Sequence, residues 1–206
     1  MNEFILMTDS TADMPESFYR ENQIPVLSLT YTLENRTYTL SDSLPMPQFY
    51  DKLRQGAMPV TSQVNPEAAL NGFRAAAKQG QDILCVCFSS ALSGTYNSCQ
   101  FAADMLKEEG FAQRIVVIDS LCASTGMGLL LYKANQMKQK GMSLDETAAW
   151  IEAHKLNVCH VFTVDDLNHL YRGGRVSKTA AIVGSMINIK PILHVDDAGT
   201  LQVIGK

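Results

Sequence analysis

Residues 83–98 read Ile83-Leu84-Cys85-Val86-Cys87-Phe88-Ser89-Ser90-Ala91-Leu92-Ser93-Gly94-Thr95-Tyr96-Asn97-Ser98. The run from Ile83 to Phe88 is short and apolar, as a strand buried on both faces must be, and a helical pattern takes over from Thr95 to Lys107. A strand, a hydroxyl-rich loop and a helix in direct succession make the repeating unit of an α/β fold. Working outward, further apolar runs at Phe4 to Met7, Ile24 to Leu33 and Ile115 to Ile118 alternate with helical patterns at Pro15 to Asn22, Pro47 to Gln55 and Pro66 to Lys78. The expected fold class is therefore α/β, with a parallel sheet flanked by helices. Such sheets hold ligands in the loops at the carboxyl ends of their strands, and each of those loops here carries hydroxyls.

Beyond Ile118 come helical patterns at Ala123 to Lys140 and Leu144 to His154, then a strand candidate at Cys159 to Val164. The interval places a domain change near Asn157. After it follow a helix at Asp166 to Tyr171, the turn Arg172-Gly173-Gly174-Arg175, a small-residue helix at Lys178 to Ile187, and strands at Lys190 to Val195 and Leu201 to Ile204. The division expected is an α/β domain over 1–157 and a partial second α/β domain over 158–206. The second is small for an independent core and ends in strands with open edges.

Composition narrows the function classes. The 206 residues are 46% hydrophobic, enough for a sizeable core, and the formal net charge is -4 with a pI near 5.5. No basic stripe is available to follow a phosphate backbone, so nucleic acid is not an expected partner. No apolar run is long enough to cross a bilayer and no signal peptide is visible. The five cysteines show no CxxC pairing, which points to a reducing, cytoplasmic setting without a disulfide framework or zinc knuckle. Cys85 and Cys87, two apart in a strand, share one face and read as small hydrophobes. His154, His160, His169 and His194 lack metal-ligand spacing. Neither a metal nor a cofactor is expected.

Catalytic motifs fail on mechanical grounds. Neither GxSxG nor a P-loop is present, and Gly126-Met127-Gly128 falls inside a helical pattern, where it cannot cradle a dinucleotide. Asp9-Ser10-Thr11 has the look of an aspartyl-phosphate phosphatase start, but Thr11 stands where that chemistry needs an acid. Asp9 reads instead as a loop organiser. The strongest constellation is Ser93-Gly94 ahead of the helix at Thr95: a helix start directs unpaired N–H groups and a positive dipole end outward, and Gly94 lets an anion approach. Thr61-Ser62 precedes the helix at Pro66 in the same way. Each hydroxyl taken singly reads as a helix cap, and two such starts at one sheet edge can converge on one anion. The apolar stripe Ala180 to Ile187 reads either as core or as the wall of an acyl tunnel.

Taken together, Thr8-Asp9-Ser10-Thr11-Ala12-Asp13, Val60-Thr61-Ser62-Gln63, Ser89 to Ser98, Val117-Ile118-Asp119-Ser120, Asp166 to Arg175 and Asn188-Ile189-Lys190-Pro191-Ile192-Leu193 closely resemble the DegV family of fatty-acid-binding proteins. The resemblance implies a two-domain α/β protein holding a long-chain fatty acid between its domains. It also implies that the protein has no activity of its own and serves as the lipid-binding subunit of a bacterial fatty acid kinase. In that system a separate ATP-dependent kinase subunit makes the acyl phosphate for phospholipid synthesis. Carried over, Thr61 and Ser93 hold the carboxylate, Gly94 gives it a backbone donor, Ser62 is a neighbour, and Arg172 supports the head group. Members of that family continue past the position of Lys206 and supply a histidine near the carboxylate, which has no counterpart here. The competing reading is a small-molecule hydrolase or phosphotransferase using the same loops.

Overall fold

The structure, a computed structural model of the chain, describes residues 4–177 and 190–205. Strands β1 (Phe4–Asp9), β2 (Val26–Leu27), β6 (Asp82–Cys87) and β7 (Ile115–Asp119) form a four-stranded sheet in the order β2-β1-β6-β7, with every pairing parallel. Alternate side chains leave a strand on opposite faces, so a doubly buried strand feeds two cores. Met7, Ile83, Cys85 and Cys87 meet α3 (Pro66–Ala77) and α4 (Thr95–Glu108), packing against Phe73, Cys99 and Leu106. On the other face Phe4, Leu6, Leu84 and Val86 meet α5 (Ser124–Gln139) and α6 (Leu144–His154) through Met127, Leu131 and Ile151. The parallel sheet flanked by helices is as the sequence predicts.

The apolar run at 24–33 does not form one strand. Val26–Leu27 pairs with β1, whereas β3 (Thr30–Leu33) leaves for a separate antiparallel sheet of order β4-β3-β5 with β4 (Arg36–Tyr38) and β5 (Val60–Ser62). The division falls at Ser28-Leu29, where Ser10 Oγ accepts from Leu29 N at 3.0 Å and Ser28 Oγ from Leu40 N at 2.8 Å. Helix α2 (Met46–Arg54) packs beside this sheet, where the Tyr31 ring lies edge-on to Phe49 at 5.2 Å between centroids. The short helix α1 (Glu16–Glu21) links β1 to β2.

After Asn157 the expected strand at 159–164 is reduced to Phe162, which exchanges backbone hydrogen bonds of 3.0 and 2.8 Å with Leu193. Helix α7 (Leu167–Arg172) and the hairpin β8 (Ile192–Val195) and β9 (Leu201–Gly205) enclose a small core of Leu167, Val176 and Leu193, distinct from the two cores of the main sheet. The helix expected at 178–187, with its apolar stripe, lies outside the described residues. Among the described residues, no helix is long and apolar enough to cross a membrane.

Candidate functional site

The chain leaves β1 toward β2 on one side and returns through β6 on the other, so the carboxyl ends of β1 and β6 flank a topological switch point, the place where open α/β sheets take ligands. Two aspartates at neighbouring strand ends brace the loop after β6. Asp9, the last residue of β1, accepts from Phe88 N at 2.8 Å through one oxygen and from Thr11 N and Thr11 Oγ1 at 2.9 and 2.6 Å through the other. Asp119, the last residue of β7, accepts from Ser90 N and Leu121 N, both at 3.1 Å. Asp9 is fully buried; removal from water pushes its pKa from 3.8 up to about 6, against the pull of its hydrogen bonds from Thr11 and Phe88. It is an organiser of the loops, as the sequence predicts.

The braced loop delivers Ser93 and Gly94 to the start of α4. Gly94, not Ser93, is the N-cap residue. Ser93 Oγ, one position earlier and nearly buried, accepts from Thr95 N at 3.3 Å and shares a 2.9 Å hydrogen bond with Thr95 Oγ1. The simple-cap reading of Ser93 is thereby replaced by a hydroxyl pair set at the helix N-terminus, where backbone N–H groups and the helix dipole favour an anion.

Thr61 and Ser62 are not a helix start either. They end β5, opposite Tyr31 and Thr30, and α3 is capped by Asn65, whose side chain accepts from Glu67 N at 2.8 Å. Pro66 follows at the first helical position, which suits its missing N–H and leaves Asn65 as the natural cap. Both Thr61 and Ser62 are exposed. The two residues that follow tie this segment to the first turn of α4: Gln63 Nε2 donates to Ser98 Oγ at 2.8 Å and Val64 N donates to Thr95 Oγ1 at 3.2 Å. Gln63 also lies across Gly94 so closely that a Cβ there would stand 2.1 Å from Gln63 Oε1. The Thr61–Gln63 strand end and the Ser93–Thr95 turn are thus neighbours.

Arg172 lies at the exposed end of α7 with its guanidinium on His169 Nδ1 at 3.1 Å. The arginine that reaches the braced loop is Arg175, whose Nε donates to Leu92 O at 2.9 Å and whose other arm donates to Gly173 O. The tip of the β8–β9 hairpin closes on the same loop: Ser89 Oγ donates to Gly199 O at 2.8 Å. At Gly199 φ is +76°, and an added Cβ would stand 2.2 Å from Ser89 Oγ and 3.2 Å from Leu121 Cα. That turn is open only to glycine. Gln63, Arg175 and Gly199 carry no motif of their own, although Gln63 and Arg175 lie inside the stretches that carry the family resemblance. Their signal is tertiary and no local pattern reveals it.

An α/β protein whose parallel sheet is flanked by helices, with a hydroxyl-rich helix start beside its switch point, is the class this geometry defines. The chain belongs to the DegV family, whose profile matches residues 3–206. A DegV domain-containing protein of Clostridium perfringens is 46% identical over 208 residues, spanning all of this chain and 72% of the relative. Among solved structures, a fatty-acid-binding DegV family protein from Thermus thermophilus superposes with a TM-score of 0.86 at 30% identity, over 98% of this chain and 71% of that one. A DegV family protein from Eubacterium eligens loaded with heptadecanoic acid superposes at 0.84 and 27% identity, over 98% and 71%. These structural neighbours bind fatty acids.

Proposed function

We propose that this protein binds a long-chain fatty acid, seating the carboxylate at the start of α4, and presents it to a separate ATP-dependent kinase that converts it to an acyl phosphate. The observation that carries the reading is the meeting of the Thr61–Gln63 strand end with the Ser93–Thr95 turn at the first turn of a 14-residue helix. In this reading the hydroxyls of Ser93 and Thr61 and the N–H groups beyond Gly94 donate to the carboxylate, with Ser62 beside them. A buried carboxylate without partners is costly, and charge-assisted hydrogen bonds offset that cost. The tail supplies most of the affinity: at about 0.8 kcal/mol per buried methylene, a sixteen-carbon chain offers on the order of 11 kcal/mol before the costs of association. Arg172 and Arg175 differ in the support they can give, since Arg175 already holds the Leu92 carbonyl of the site loop while Arg172 rests on His169.

Hydrolase chemistry on the same loops is less well served. Both carboxylate oxygens of Asp9 are engaged and the side chain is fully buried, which leaves no face for nucleophilic attack. Ser93 Oγ is hydrogen-bonded to Thr95, which cannot act as a base. The test is reconstitution: protein, fatty acid, ATP and magnesium should give no acyl phosphate, and addition of a bacterial fatty acid kinase subunit should start turnover. Acyl phosphate formed by the protein alone, at a rate tracking its concentration, would overturn the division of labour.

A further inference from the structure

Cys85 and Cys87 leave β6 on the face covered by α3 and α4, and Cys99 reaches the same place from α4. All three are fully buried. The sulfurs of Cys85 and Cys87 are 3.7 Å apart, and the three sulfurs all lie within 4.8 Å of one another. Packing as small hydrophobes accounts for burial. It does not call for sulfurs from a strand and a helix to face one common point, and that convergence is what a ligand set requires.

Three sulfurs held about 2.3 Å from one ion in a plane stand about 4 Å from each other, close to the spacing already present. We infer that Cys85, Cys87 and Cys99 form a three-sulfur site for a soft, thiophilic monovalent cation, Cu(I). Hard cations want oxygen ligands, and among the described residues the group contains no histidine or carboxylate. Zinc closes its structural sites with a fourth ligand; Asp9, a carboxylate at the adjoining strand end, has both oxygens engaged by Thr11 and Phe88. Thiolate sulfur selects Cu(I), which three sulfurs in a plane can satisfy. Coordination forms three Cu–S bonds, and the displaced S–H protons leave to solvent with no change in oxidation state, so binding tightens as pH rises. The bound ion would join α4 to β6 directly behind the Ser93–Thr95 turn.

The test uses the full chain, reduced and anaerobic, with the exposed Cys159 first alkylated under native conditions. Cu(I) is then titrated against a colorimetric Cu(I) chelator and the copper-edge X-ray absorption is recorded. One equivalent per chain, with a shell of three sulfurs, is expected. The pair C85V and C87V, and separately C99A, should lower Cu(I) affinity at least tenfold, while C122A leaves it unchanged. Absence of competition with the chelator would overturn the site, as would undiminished binding in a folded C85V/C87V variant. If those variants do not fold, the wild-type spectrum decides, because a shell containing nitrogen or oxygen, or only two sulfurs, contradicts the inference. Zinc binding equal to or tighter than Cu(I) would overturn the choice of cation.

Discussion

The Phe88–Gly94 loop and the Val60–Val64 segment meet at the first turn of α4, yet they are held there by opposite means. The loop is pinned from both neighbouring strands, by Asp9 on the β1 side and Asp119 on the β7 side, and is covered by Gly199 from the hairpin. The segment is an edge strand of a small sheet, with Val60, Thr61 and Ser62 exposed, and its hold on α4 comes from Gln63 and Val64. One half of the site is pre-organised and the other can adjust its side chains around what arrives. A head group bound between them would be positioned by the rigid half and closed upon by the compliant one.

The largest expected effect concerns the buried end of the rigid half. Burial raises the Asp9 pKa from 3.8 to about 6, so the neutral acid is disfavoured less in the folded chain than in the unfolded one. Its contribution to stability is fully present below about pH 4 and is lost as pH rises through 6. At about 1.4 kcal/mol per unit this amounts to about 3 kcal/mol. D9N does not titrate, so urea unfolding from pH 3 to 8 should show wild type losing about 3 kcal/mol relative to the variant. Parallel profiles would mean that Asp9 is not the buried brace described here.

Next, S93A and T61A should each cost roughly 1.5 to 3 kcal/mol of fatty-acid affinity through a lost charge-assisted hydrogen bond. Only S93A should also lower unfolding stability, by about 1 kcal/mol, because it alone breaks a buried hydrogen bond, to Thr95. Calorimetric binding and denaturant unfolding on both variants separate the halves. Equal stability losses would erase the distinction between them.

The contrast also explains what the sequence made legible. The parallel strands and their helices announce themselves by long apolar runs and helical period, and the helix expected at Leu144 to His154 is the helix observed. Three-residue strands carry too little pattern, so β4 and β5 went unread. The available clue was Glu34-Asn35, both residues left-handed at φ +50° and +64°, which is the geometry of a tight hairpin turn. Ser93 and Gly94 are legible as the lead-in to α4 because a hydroxyl and a glycine before a helix have a local meaning. The Asp9 and Asp119 braces were less so, because they depend on which strand ends become neighbours. Gln63, Arg175 and the Cys99 partnership with Cys85 and Cys87 are hidden for the same reason.

Smaller effects follow. G199A forces a side chain into left-handed backbone against Ser89 and Leu121, a strain of about 1 to 3 kcal/mol; it should appear as faster amide exchange in β8, β9 and the Ser89–Leu92 loop. Unchanged exchange would detach the hairpin from the rigid half. G94A meets only the end of the Gln63 side chain, which can swing away, so its cost in stability should stay within about 1 kcal/mol. Its fatty-acid affinity should nevertheless fall, because moving Gln63 breaks its hydrogen bond to Ser98 and loosens the strand end from the first turn of α4.

In the proposed function the start of α4 recognises a carboxylate. The direct measurement is calorimetric titration of wild type and S93A with palmitate and with hexadecanol, which share a tail and differ in head group. Wild type is expected to bind palmitate at least tenfold more tightly than hexadecanol, and S93A to lose most of that preference. Equal affinities for the two ligands in wild type, or a preference undiminished in S93A, would contradict the proposed function.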